Sequence, residues 1–244
     1  MVDRSGQNNN GQATGARWVE KGKLGGGFEF SGASHFIKVP SSPSLNPKQI
    51  TLATWFRTFR CDGVLRRILE KHCGEGYAMG IAGDTPGIPT RGKISVVIGG
   101  ARHCSSDYVI TDGTWHHAAA TYDGQNVKLY IDAVEQKQVV AYNGSISDNT
   151  DDLIVGLNVK NPTPQDPIQC FEGSLDELMI FNRALSADEI KTMVLGMDPN
   201  AGKPLFSKNQ VAGRLRQLKL LFEEGLLTDE FYEAKVSECE AAGL

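Results

Sequence analysis

Apolar and polar residues alternate with a period of two in many short stretches of the first 180 residues. In residues 127–131, Val127, Leu129 and Ile131 fall on one side, and Lys128 and Tyr130 fall on the other. This period is typical of a β-strand with one buried face. The pattern predicts strands at residues 27–30, 36–39, 51–59, 67–71, 77–82, 93–98, 108–110, 116–122, 127–131, 135–141, 153–155 and 174–181.

Turn-forming pairs separate these stretches, as in Asp62-Gly63, Asp123-Gly124 and Asn143-Gly144. No helical pattern intervenes between the predicted strands. Many short strands joined by such turns are typical of an antiparallel β-sandwich or barrel. We therefore predict an all-β domain over residues 1–197.

The hydrophobic period changes to a helical one after residue 185. Ser186 and Glu189 fit a capping box, in which each side chain binds the other residue's backbone N–H. We expect a helix through Ile190 and Val194, ended by Gly196. Residues 198–208 are rich in Pro, Gly and Asn, which predicts a linker.

Residues 209–244 predict a small α-helical hairpin. Thr228 is placed to cap its second helix, with Leu227 and Tyr232 as a hydrophobic staple. So short a unit cannot bury a core alone, and we expect it to pack on the sandwich, on a second copy or on a partner. The first helix carries an apolar stripe formed by Val211, Leu215, Leu218, Leu221 and Phe222.

Composition excludes some classes of partner. The chain has 25 basic and 29 acidic residues and a net charge of −4, with no basic block to bind phosphates, so we expect no nucleic acid. No apolar run is long enough to predict a membrane span, and the first residues do not resemble a signal peptide. No pair of cysteines has the spacing of a zinc site, and both disulfides and free thiols remain open. The cysteines are Cys61, Cys73, Cys104, Cys170 and Cys239.

Five motifs follow one another in the order found in one family. They are DRSGQNNNGQ (3–12), GKLGGGFEFSG (22–32), ITLATWFRT (50–58), DGTWHHAAATYDGQNVKLYIDA (112–133) and EGSLDELMIFNRALSADEI (172–190). With them the chain resembles the laminin-G-like and concanavalin A-like lectin/glucanase superfamily, in its bacterial jelly-roll form. The resemblance implies a two-sheet antiparallel jelly-roll sandwich. Residues 218–238 are similar to the short helical domain called SHOCT, an interaction or assembly element.

Retaining glycosidases of this superfamily carry two catalytic Glu on one strand, about 5 Å apart. Glu29 and Glu70 stand alone in the sequence, and the adjacent Asp176 and Glu177 would face opposite sides of a strand. We therefore expect a non-catalytic module that binds a carbohydrate or a protein. The expected location is extracellular, periplasmic or at the bacterial cell surface. A glycan-cleaving enzyme and a structural protein that self-associates through its C-terminal helices remain as alternatives.

The resemblance also implies a structural calcium ion that ties the last strand to the N-terminal segment. Asp176 would supply a carboxylate and Gly32 a carbonyl oxygen, with Asp3 or Asn8 completing the shell. Ser31 stands where many relatives have Asp, which weakens one potential ligand. Alternatively, Asp176 binds nearby backbone N–H groups or faces water.

Aromatic residues in the predicted strands could serve the core or a ligand. Trp55 and Trp115 match core positions of the family, and sugar stacking is the alternative. We expect Trp18 to cover an edge of the sandwich. Loops 83–92 and 158–170 are candidate rim loops for recognition. Further candidates for a ligand face are Arg57, Arg102, Tyr122 and Tyr130.

Overall fold

The structure is a computed structural model. It describes residues 1–32, 34–72, 74–84, 90–101, 103–158, 169–196 and 208–223, with residues 228, 229, 232, 233, 235 and 236 of the tail. Within these residues, fifteen strands form two antiparallel sheets, accompanied by two α-helices and one short 3₁₀-helix, Pro43–Leu45. The predicted all-β sandwich is therefore confirmed.

The first sheet has seven strands, and its neighbours pair antiparallel throughout. In spatial order the strands are β1 (Gln12–Thr14), β4 (Phe36–Val39), β14 (Leu153–Val155), β6 (Arg66–Lys71), β7 (Tyr77–Ile81), β8 (Ile94–Ile98) and β9 (Cys104–Ser105).

The second sheet has eight strands, and β13 (Val140–Ala141) pairs with β11 beside the main path. In spatial order the others are β12 (Val134–Glu135), β11 (Asn126–Ile131), β10 (His116–Tyr122), β5 (Ile50–Arg57), β15 (Glu172–Phe181), β3 (Gly27–Ser31) and β2 (Arg17–Val19).

The main core lies between the sheets. Alternate residues of each strand point inward, so Leu52 and Phe56 of β5 and Met79 of β7 belong to one core cluster, and all three side chains are fully buried. The outward residues of β5 and β7 are buried as well, so these central strands are covered on both faces.

The sequence pattern differs from the structure in two ways: one predicted strand is absent, and three short strands were not predicted. The predicted strand at 108–110 is wrong: Tyr108 and Val109 are exposed, and only Ile110 is buried, with its N–H bonded to the Gly92 carbonyl oxygen. One buried residue after two exposed aromatic and apolar residues resembled a strand in the sequence. Strands β1, β2 and β9 were not predicted because edge strands of two or three residues show too little alternation.

Helix α1 (Ala187–Val194) begins with the predicted capping box. The Glu189 N–H donates to Ser186 Oγ, and the Ser186 N–H donates to Glu189 Oε2 at 2.8 Å. Its buried residues Ile190 and Met193 cover Ala53, Ala119 and Tyr130 on the outward face of the eight-stranded sheet. This prediction is confirmed.

Helix α2 (Lys208–Glu223) begins the tail. Leu215 and Leu218 pack on Leu24 and Trp55 of the sandwich, so this helix uses part of its apolar stripe on its own chain. The linker lies outside the described residues except for Lys208, as does Leu227 of the predicted staple. No helix in the described residues is long and apolar enough to cross a membrane. Self-association through the tail remains a prediction.

Candidate functional site

The outward face of the eight-stranded sheet has a covered half and an open half. Helices α1 and α2 and the loop at Leu24 cover one half. On the other half, strand pairing aligns Arg17 with Glu29, Glu29 with Ser174, and Ser174 with Arg57. Cross-strand partners project from the same face, so these four residues form one polar row.

The row is held in place by its own contacts. Arg17 Nη2 lies 2.6 Å from Glu29 Oε2, and Arg57 Nη2 donates to Ser174 Oγ at 3.3 Å. The guanidinium carbon of Arg57 lies 5.2 Å from the centre of the Trp115 ring, a cation–π contact. Trp115 itself is half-buried.

An open groove of about 460 Å³ adjoins the row. Arg60 forms an ion pair with Glu172 at its border. The groove is therefore lined by charged groups that are already positioned. Its lining residues are Gly15, Arg17, Glu29, Phe30, Ser31, His35, Glu172, Gly173 and Ser174.

Phe59 adds an exposed aromatic ring beside this row. Its relative exposure is 78%, and its ring lies over Gly113, where an added Cβ would come within 1.8 Å of Phe59 Cζ. The Gly113 N–H donates to the Thr58 carbonyl oxygen. This hydrogen bond holds the segment that leads into β10 beside the end of β5. Trp115, two residues further, is about 7 Å away along that segment. We call the following set the open face: Arg17, Glu29, Ser31, Arg57, Phe59, Arg60, Trp115, Glu172 and Ser174.

Two glutamates of the open face are neighbours in space. Glu172 pairs with Ser31 and Ser174 pairs with Glu29, so Glu29 and Glu172 occupy diagonal positions, with Cβ atoms about 7–8 Å apart. Sequence reasoning treated Glu29 as isolated because it could not show that β3 and β15 are adjacent. Each carboxylate is already engaged by an arginine, Glu29 by Arg17 and Glu172 by Arg60.

Other candidates for a ligand face are buried. Tyr122 donates through its hydroxyl to the Gly144 carbonyl oxygen at 2.6 Å, and Tyr130 donates to Glu135 Oε2 at 2.9 Å. Trp55 is 6% exposed, which confirms its core position. Arg102 and residues 85–89 and 159–168 of the rim loops lie outside the described residues.

Trp18, predicted to cover an edge, lies on edge strand β2. It is 56% exposed and meets the Phe28 ring edge-on at 5.3 Å. Among the cysteines, Cys61, Cys104 and Cys170 are free thiols, and Cys73 and Cys239 lie outside the described residues.

Asp176, the predicted calcium ligand, binds backbone N–H groups. Its Oδ2 accepts from the Leu24 N–H at 2.8 Å, and its Oδ1 accepts from the Glu177 N–H at 2.9 Å. Burial raises the pKa of Asp176, while hydrogen bonds from Leu24, Glu177 and Lys23 oppose that shift. The carboxylate thus ties the glycine-rich loop at 22–27 to β15.

Gly32 lies apart from Asp176 along the strand, and Asp3 is engaged within the N-terminal segment. Gly32 follows Ser31, whose partner Glu172 lies about 13 Å along β15 from Asp176. The Asp3 carboxylate accepts N–H groups of Ser5 and Asn9, next to Asn8. The described residues hold no group of three or more His, Cys, Asp or Glu arranged for a metal. A calcium ion held by Asp176, Gly32, Asp3 and Asn8 stays a prediction from the resemblance.

Glu177 sits where β15 departs from regular strand geometry. A bulge lies between Asp176 and Met179, and Glu177 has a φ of +47°. Burial, followed by the charge of Asp176, raises the pKa of Glu177 to about 7, and the charge of Arg4 opposes this. The rule that adjacent residues face opposite sides assumes a regular strand, and it does not describe this bulge.

Replacing Asp176 by alanine should lower the free energy of unfolding by about 2–3 kcal/mol, because buried N–H groups lose their acceptor. Urea denaturation with chelator and with added calcium measures this loss. An equal loss in both conditions supports the hydrogen-bonding role. The calcium prediction requires a wild-type melting temperature that rises with calcium and falls with chelator, and an unchanged value contradicts it.

The outward face of the seven-stranded sheet offers a second, smaller cavity of about 280 Å³. Its carboxylates are engaged: Asp152 lies 2.7 Å from Lys38 Nζ, and Asp151 lies 2.7 Å from His72 Nδ1. No aromatic ring other than His72 lines it among the described residues. Its lining residues are Lys38, Glu70, His72, Asp151, Asp152, Ile154 and Leu157.

Solved structures with the same architecture include three binding proteins or modules. The binding domain of Paraclostridial Mosquitocidal Protein 1 has a TM-score of 0.63 at 19% identity, over 79% of this chain and 48% of that one. Domain 4 of AbnA, a GH43 extracellular arabinanase from Geobacillus stearothermophilus solved with arabinotriose, has a TM-score of 0.59 at 18% identity, over 78% and 91%. A putative carbohydrate binding protein from Bacteroides ovatus has a TM-score of 0.58 at 18% identity, over 72% and 48%.

This chain therefore spans about half the length of the first and third of these structures. At such identities the likeness shows the fold alone. No curated protein sequence matches the chain. A family model, however, matches residues 31–191, which is 161 of the 244 residues. The chain belongs to the concanavalin A-like lectin/glucanases superfamily.

Proposed function

We propose that the protein is a non-catalytic module that binds a glycan at its open face, outside the bacterial cytoplasm. The observation that carries this proposal is the 78% exposure of Phe59 beside a row of ordered charged side chains. An exposed aromatic ring buries little apolar surface in the folded chain and so contributes little to its stability. It gains contact area when the apolar face of a sugar ring covers it.

The ion pairs of the open face suit sugar hydroxyl groups. Arg17 with Glu29 and Arg60 with Glu172 place donors next to acceptors along the groove. Because these side chains are already paired, less side-chain entropy is lost when a ligand binds. The resemblance to a domain solved with arabinotriose and to a putative carbohydrate binding protein supports a glycan ligand.

Glycan cleavage is disfavoured by the engagement of its candidate acids. Glu29 and Glu172 are diagonal neighbours on the open face, and glycan cleavage would require two carboxyl groups that face the substrate. Each, however, is held by a guanidinium rather than presented to a substrate. Chromatography of a bound glycan after prolonged incubation separates the two functions. Shorter products that disappear in Glu172→Gln would establish the enzyme instead.

Replacing Phe59 by alanine should lower the affinity for a glycan selected on an array by about tenfold, the loss of roughly 1–2 kcal/mol of aromatic contact. Isothermal titration calorimetry measures this. Val134→Ala is the matched control, since Val134 is an apolar residue, 61% exposed, on β12 at the far edge of the same sheet. Equal affinities of wild type and Phe59→Ala would contradict the proposed site.

A further inference from the structure

We infer that the ligand of the open face is an acidic glycan, whose sugar carboxylate pairs with Arg57. This inference rests on the proposed function and names its ligand class. It starts from the charges of the open face, which carries three arginines and two glutamates. Arg17 is neutralised by Glu29, and Arg60 is neutralised by Glu172 and Asp62. Among the described residues, no carboxylate pairs with Arg57.

Arg57 is nonetheless held in one position. Its guanidinium lies over the Trp115 ring at 5.2 Å, and its Nη2 donates to Ser174 Oγ. Arg57 is half-buried, so its charge is only partly compensated by water. A guanidinium that is fixed on one side presents its remaining N–H groups as a planar fork, which matches a carboxylate with two parallel hydrogen bonds.

The neighbouring charges select a single negative charge. Glu29 belongs to the row and Glu172 lies beside it, and both would repel a dianionic phosphate placed on Arg57 more strongly than a single carboxylate. One unpaired guanidinium matches one carboxylate. A uronic acid residue provides that carboxylate on a sugar ring, and the ring can also cover Phe59. One sugar residue would then contact both the Arg57 guanidinium and the Phe59 ring.

The test compares uronic acid oligomers with the same chains as methyl esters, which keep the sugar but lose the charge. Galacturonate, glucuronate and mannuronate oligomers are printed on an array, and those bound are titrated by calorimetry. We expect esterification to lower affinity at least tenfold. Arg57→Gln should cause a similar loss for the acid and little change for the ester, while Arg57→Lys retains part of the affinity.

Lys48→Gln controls for the lost charge, because Lys48 is 68% exposed and lies outside the open face. It should bind like wild type, and the melting temperature of Arg57→Gln checks its folding. Equal affinity for acid and ester, or an Arg57→Gln protein that binds the acid like wild type, overturns the inference and leaves the proposed function standing. A protein that binds no glycan at all overturns both.

Discussion

Replacing Lys71 by methionine should lower the free energy of unfolding by about 3 kcal/mol. Lys71 is fully buried at the end of β6. It donates to Asn149 Oδ1 at 2.7 Å and to the Asp151 carbonyl oxygen at 2.8 Å. It also lies 3.3 Å from Ser41 Oγ. One side chain thus ties two loops to the seven-stranded sheet.

Methionine has a similar length but donates no hydrogen bond. Asn149 Oδ1 would keep its hydrogen bond from the Asp151 N–H, whereas the half-buried Asp151 carbonyl oxygen would lose the Lys71 donor, and an unsatisfied acceptor costs about 1–3 kcal/mol. Removing Lys71 also removes its desolvation penalty, which offsets part of that cost. The net effect is destabilising because the oxygens stay behind.

Urea denaturation followed by tryptophan fluorescence measures the loss. Lys48→Met is the matched control: Lys48 pairs with Asp148 at 2.9 Å, close in sequence to Asn149, but both side chains are well exposed. Exposed pairs contribute about 0–1 kcal/mol, so the control should stay near wild type. A Lys71→Met protein as stable as Lys48→Met would show that the buried hydrogen bonds contribute nothing net.

The protein should also lose about 3 kcal/mol of stability in acid through His117. His117 is 2% exposed, and its ring meets the Trp55 ring edge-on at 5.3 Å. Within the described residues its Nδ1 has no hydrogen-bond partner. Burial lowers the pKa of His117 from 6.5 to about 4, and the charge of Asp132 opposes that shift.

Stability falls on acidification because the pKa of His117 is lower in the folded chain than in the unfolded chain. The unfolded chain takes up a proton at His117 near pH 6.5, whereas the folded chain resists it until about pH 4. The stability contributed by the neutral ring is therefore complete above pH 6.5 and is lost as the pH falls toward 4. His116 acts in the opposite direction, because Asp132 and Asp112 raise its pKa despite burial.

His117→Phe keeps a ring beside Trp55 and removes the titration. The difference in unfolding free energy between the variant and wild type should move by about 3 kcal/mol in favour of the variant between about pH 7 and pH 4. Urea denaturation at intermediate pH values gives this difference. A constant difference across that range would contradict the assignment.

Local sequence signals predicted the parts of this fold that depend on neighbouring residues. The capping box at Ser186 and Glu189 needs residues only three apart, and it is present. Strands β4 and β14 have the predicted bounds, and both alternate between a buried and a less buried face.

The open face was not predictable in the same way. It is assembled from β2, β3, β15 and β5, and the pairing of strands far apart in sequence brings Glu29 next to Glu172. Phe59 fell inside a predicted strand, where an aromatic residue suggests burial. Its exposure depends on β5 ending at Arg57 and on the space above Gly113. Arg57 was a candidate, but its missing carboxylate partner is a property of the folded structure.

The central claim, that a glycan binds the open face, is tested most directly by amide NMR spectra recorded during titration with an array-selected glycan. We predict that the largest chemical-shift changes fall on Arg57, Phe59, Gly113, Glu172 and Ser174. Changes concentrated instead on the outward face of the seven-stranded sheet, around Lys38, Glu70 and Ile154, would contradict the claim.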